Sequence, residues 1–127
     1  MIKEQTMLTI NSFVLYVEDI HISQVFYSKL FERKVTQLSP TFAAIPLTEG
    51  LTLTLKQRDN LSPYSGIRGG GTELSLSVPN SHMLERIYKR WKDLGVEFVQ
   101  PPATSVYGLN FMAIDPDKHR IRVFINE

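Results

Sequence analysis

The 127-residue chain is 43% hydrophobic and sets fourteen basic against thirteen acidic side chains, a net charge of +1. That length can bury one ordinary core, and the even charge argues against nucleic acid as the main partner. The absence of cysteine excludes disulfides and thiolate metal centres and suits a reducing compartment.

Residues 1–10 hold no apolar core of signal-peptide length, and no later run approaches a membrane span. The expectation is a cytoplasmic protein with neither nucleic acid nor membrane as partner. Residues 12–17 alternate as a half-buried strand does: Phe13, Leu15 and Val17 on one face, Ser12, Val14 and Tyr16 on the other. Asp19 stands where a cap belongs, ahead of a helical run in which Ile22, Val25, Phe26 and Leu30 predict the buried face. Strands are expected at Lys34–Leu38, Phe42–Leu47 and Leu51–Lys56, with turns at Ser39-Pro40 and Thr48-Glu49-Gly50. Residues 57–71 carry four glycines, a proline and no period, the composition of a linker. Their Gly-rich end is no phosphate loop, because no Lys-Ser or Lys-Thr pair follows it.

Thr72–Val78 predicts another strand, with Leu74, Leu76 and Val78 opposite Glu73, Ser75 and Ser77. Asn80 caps a second helix whose stripe is Met83, Leu84, Ile87, Trp91 and Leu94, and Gly95 ends it. The position of Trp91 in that stripe assigns it to the core. Strands at Val96–Val99, Leu109–Ile114 and Arg120–Ile125 complete the chain, the last two joined by a turn at Asp115-Pro-Asp-Lys118.

The order strand, helix, strand, strand, strand thus occurs twice. An offset of 61 lays Phe13-Val-Leu-Tyr-Val17 on Leu74-Ser-Leu-Ser-Val78, Phe26-Tyr27 on Ile87-Tyr88 and Leu30 on Trp91. A period of half the chain is too long for a solenoid and predicts two like halves pairing around one cavity. A single domain over 1–127 follows, with repeat one at about 8–57, a linker at 58–71 and repeat two at about 72–126.

The two βαβββ halves, the run Val17-Glu-Asp19 leading to Ser23 and Phe26-Tyr27, and the closing Asp115-Pro-Asp117 resemble the vicinal oxygen chelate superfamily. Glyoxalase I, extradiol dioxygenases, fosfomycin-resistance enzymes and bleomycin-resistance proteins belong to that group. Pro40-Thr-Phe-Ala-Ala-Ile-Pro46, Val106 through Asp117, and Arg120-Ile-Arg-Val123 are similar to its phenazine-antibiotic resistance branch. The resemblance implies an α+β fold, two βαβββ repeats forming a curled, antiparallel-rich mixed sheet around a cavity. It also implies a homodimer.

Enzymes of the superfamily take metal ligands from the first and fourth strand of each half. The matching positions here are Ser12, Thr52 (with Thr54 as the other choice), Glu73 and Arg122. Only Glu73 is an ordinary ligand, and a guanidinium repels a cation. No metal, cofactor or catalytic residue is therefore expected. His21 and His82 at the two helix starts, and His119 in the last turn, read as surface or capping residues.

An antiparallel sheet can leave such a face simply solvated, but the superfamily's curl turns it inward. The expected ligand-binding set is then Ser12, Tyr16, Thr52, Thr54 and Lys56 from half one, with Glu73, Ser75 and Arg122 from half two. Phe42, Tyr107 and Phe111 would supply aromatic walls, on which a planar ligand can stack. With these residues, the resemblance to the resistance branch implies metal-independent binding and sequestration of a planar aromatic, antibiotic-like molecule, an anionic group lying near Arg122 or Lys56. The alternative is a glyoxalase-like lyase, isomerase or dioxygenase using Glu73 as base or metal ligand.

Overall fold

A computed structural model describes residues 8–106 and 108–126. The first half runs β1 (Ser12–Val17), α1 (Ile20–Phe31), β2 (Thr36–Ser39), β3 (Phe42–Thr48) and β4 (Leu51–Gln57). A single 3-10 turn at Arg58–Asn60 opens the connection to the second half. There β5 (Glu73–Val78), α2 (Ser81–Asp93), β6 (Glu97–Ser105), β7 (Gly108–Ile114) and β8 (Arg120–Ile125) repeat the order. The offset of 61 carries β1 onto β5 and the start of α1 onto the start of α2, residue for residue.

Each half is one four-stranded mixed sheet, ordered β1-β4-β3-β2 and β5-β8-β7-β6. The first strand pairs in parallel with the fourth, and the other pairs are antiparallel. A parallel neighbour requires a crossover, which the helix and the two intervening strands provide. The α+β fold expected from the sequence is thus the one observed.

Helix ends follow the cap residues. Asp19 Oδ1 accepts from the backbone N–H of His21 and Ile22, at 2.9 and 3.2 Å. Asn80 Oδ1 accepts from Met83 N–H at 2.9 Å. Both satisfy donors that a helix start leaves orphaned. Gly95 closes α2 at a φ of +86°.

The helix-facing sides of the sheets form the core, with Leu15, Val17, Ile45 and Leu53 in the first half and Phe111, Ala113, Ile121 and Val123 in the second. Trp91 is buried in it as expected, edge-on to Phe111 at 5.6 Å between ring centroids. The buried face of α1 is Ile20, Ser23, Tyr27 and Leu30, whereas Ile22 and Val25 are 56% and 52% exposed. The expected stripe was rotated because apolarity alone decided it. Tyr27 is drawn inside by a buried acceptor, its hydroxyl donating to Asp115 Oδ2 at 2.7 Å. Leu94, at the end of the α2 stripe, is also exposed.

That bond ties the halves together. Asp115 Oδ2 also meets His119 Nδ1 at 2.7 Å, and Asp115 Oδ1 accepts from the N–H of Asp117 and His119 at 2.8 and 2.9 Å. His119 is therefore buried and structural, not on the surface. Asp117 Oδ1 accepts from Glu18 N–H at 2.9 Å, ahead of α1. Gly69, in the connection, donates its N–H to Asp117 O at 3.2 Å. A Cβ there would lie 2.4 Å from the backbone nitrogen of His119, so only glycine permits this approach.

Candidate ligand-binding site

Strand alternation sets which side chains face away from the helices. On the first sheet Ser12 lies opposite Thr52, Val14 opposite Thr54 and Tyr16 opposite Lys56. Phe42 faces Lys56 from β3, and the lysine Nζ sits 5.5 Å from the centre of its ring, a cation–π distance. Thr54, between Val14 and Ala44, is buried, while Ser12 and Thr52 are half-buried.

On the second sheet Glu73 lies opposite Arg120, and Ser75 opposite Arg122. The structural counterpart of Arg122 is accordingly Thr54, and that of Thr52 is Arg120. Of the two threonines that the sequence offers for this position, the register selects Thr54, one alternation beyond Thr52, because the connections before β4 and β8 differ in length.

Glu73 and Arg122 do meet, on the diagonal. Arg122 Nε donates to Glu73 Oε2 at 2.8 Å and Nη2 to Oε1 at 3.4 Å. Nη1 donates to Asn110 Oδ1 at 2.6 Å. Asn110 is 2% exposed, and its Nδ2 donates to Gly108 O at 2.9 Å and Ser105 Oγ at 3.3 Å. Gln100 Nε2 donates to the backbone and side-chain oxygens of Asn110, at 3.1 and 3.3 Å. These residues, with Ser75 and Phe124, line a hollow of about 560 Å³, within the range of small-molecule pockets.

No described residue of the first half lines that hollow. The expected set Ser12, Thr52, Glu73 and Arg122 is thus divided between two sheets within the chain. Phe111 is not a wall: it is 0% exposed and packs against Tyr88, Trp91 and Phe98 beneath the sheet. It follows Asn110 in β7 and so points to the opposite face. Tyr107 lies outside the described residues. Gln100 and Asn110 were missed, although a lone amide in the apolar run Leu109–Ile114 was the signal for one of them.

The donor set does not suit a divalent metal. The ligand positions offer one carboxylate, already paired, beside a guanidinium and hydroxyls, where a cation asks for several carboxylates or imidazoles. Among the described residues no three His, Cys, Asp or Glu side chains are grouped to hold one.

Two mixed sheets built from a repeated βαβββ unit, each backed by a helix and offering a polar outer face, define a glyoxalase-like protein. The family model described as Glyoxalase/Bleomycin resistance protein/Dioxygenase superfamily matches residues 9–123, and the chain belongs to that family. It is 26% identical over 119 residues to the phenazine antibiotic resistance protein EhpR of Enterobacter agglomerans, covering 91% of each chain. The solution structure of an Agrobacterium tumefaciens protein is 35% identical, with a TM-score of 0.84 over 95% of this chain and 99% of that one. A glyoxalase-related enzyme from Fulvimarina pelagi shares the fold at 20% identity, with a TM-score of 0.82 over 93% and 88% of the two chains.

Proposed function

We propose that the protein binds and sequesters a planar aromatic, antibiotic-like small molecule without a metal, as a cytoplasmic homodimer. The observation carrying this reading is the hollow on the second sheet, where Arg122 occupies a ligand position and holds the single carboxylate, Glu73. The relationship to a phenazine antibiotic resistance protein supports an aromatic, planar ligand. The enzymatic alternative needs Glu73 free to take a proton or a metal, and both its oxygens already accept from Arg122.

Titration with phenazines, by calorimetry or ligand fluorescence, tests the ligand class. Wild type is expected to bind, and Arg122→Ala to lose roughly 1–3 kcal/mol, the range for a true anchor. Failure to bind any of them below millimolar concentration removes the ligand class. Elemental analysis after mild purification should find well under one equivalent of Zn, Ni, Mn or Fe. A full equivalent lost on Glu73→Ala would restore the enzyme reading.

A further inference from the structure

The charge balance of the second-sheet hollow bears on what its ligand looks like. Asn110 is held by two donations from its own Nδ2, to Gly108 O and Ser105 Oγ, so its Oδ1 faces Arg122. Gln100 donates to the same Oδ1. The guanidinium is therefore fixed by a buried amide on one side and by Glu73 on the other. Among the described residues Glu73 and Arg122 are the only charged side chains in the lining, and they cancel. Arg120, the register partner of Glu73, is exposed outside it.

We infer that this hollow selects an uncharged ligand edge carrying a hydrogen-bond donor beside an acceptor, such as a carboxamide or lactam, over the carboxylate of the same shape. The inference rests on the small-molecule binding reading and narrows its ligand class. It departs from the anionic group expected near Arg122. A carboxylate reaching the guanidinium approaches a charge that the Glu73 carboxylate already pairs, so repulsion from Glu73 offsets part of the attraction. It gives up its hydration with little return, or displaces Glu73 and leaves that charge without its partner.

A neutral amide meets neither cost. Arg122 Nη1 and Nη2 each carry a second N–H beyond the bonds to Asn110 and Glu73, and each Glu73 oxygen has a further lone pair. The amide C=O accepts from the first and its N–H donates to the second, both as charge-assisted bonds. Phe124, half-buried in the same lining, offers the ring of the ligand an aromatic neighbour.

Paired titrations of phenazine-1-carboxamide and phenazine-1-carboxylate, at neutral pH and fixed salt, separate the outcomes. Wild type should favour the carboxamide by about tenfold or more, as a like charge in the site disfavours the acid. Glu73→Gln keeps the side-chain shape and frees Arg122, and should reverse the order. Glu73 lies near the surface of an edge strand, so the variant is expected to fold, and its circular dichroism spectrum checks that. Equal binding, or tighter binding of the carboxylate by wild type, overturns this inference and leaves the binding reading standing. An unchanged preference in Glu73→Gln overturns it as well, because the selecting charge is then elsewhere. If neither compound binds, the binding reading and this inference fall together.

Discussion

Asn110 decides where Arg122 points. Its amide is buried, and its side chain bonds Ser105, Gly108 and Gln100 of the same hairpin and the guanidinium itself. Replacing it by leucine keeps the volume but takes the acceptor from Arg122 Nη1 and one bond each from the Gln100 amide and the Gly108 carbonyl, which keep others. Leaving a charged donor without its buried partner costs about 1–3 kcal/mol. Urea unfolding of Asn110→Leu should show a midpoint lowered to that extent with an unchanged slope. An unshifted midpoint would mean that water replaces the network at no cost. At this scale the sequence was legible where one strand decides and illegible where two must be registered. Alternation placed Glu73, Ser75 and Arg122 on one face correctly. The diagonal between Glu73 and Arg122, and the amides that hold it, depend on the pairing of β5 with β8 and of β6 with β7.

Among the elements, the repeat was the strongest signal, since two independent copies of a pattern fixed β1, α1, β5 and α2 together. The length of β6 was not legible. The sequence predicts Val96–Val99, and Glu97–Ser105 is observed, the strand running on through Pro101-Pro102. As an edge strand β6 has one side with no ladder to fill, and its register shifts between Phe98 and Ala103 carry the prolines. The face of α1 was misread for the reason that buries Tyr27, a hydrogen bond to Asp115 in the other half. Burial pushes the Asp115 carboxyl upward, but the bonds and charge of His119 and the Tyr27 hydroxyl together outweigh it and hold the group below its usual value. A carboxylate so depressed adds stability above its ordinary value, and that stability is lost as pH falls through the folded value. Asp117 works the other way: burial raises it, so its contribution is present in acid and lost as pH rises. Asp115→Asn should therefore destabilise most near neutrality, by about 2–3 kcal/mol for breaking a buried paired charge. The gap to wild type should narrow in acid below about pH 4. Urea midpoints across that range check it, and a gap independent of pH would assign the loss to packing instead.

Among the described residues each sheet ends at two edge strands, β1 and β2 in one, β5 and β6 in the other. An unpaired edge is a template for association, and β1 is the most apolar of them: Phe13, Val14 and Tyr16 are 50%, 41% and 36% exposed. The two outward faces of one chain lie on separate sheets, and the hollow around Arg122 is lined from the second sheet alone among the described residues. A second copy meeting these edges would cover the apolar residues of β1 and let faces from two chains close one cavity. No helix among the described residues is long and apolar enough to cross a membrane. Sedimentation equilibrium at micromolar concentration should give twice the 14.5 kDa chain mass. Val14→Lys places a charge on the exposed edge without touching the core or the Glu73–Arg122 pair, and should shift the mass towards the monomer. A 14.5 kDa species from wild type would remove the homodimer. A dimer untouched by Val14→Lys would keep it and move the interface away from β1.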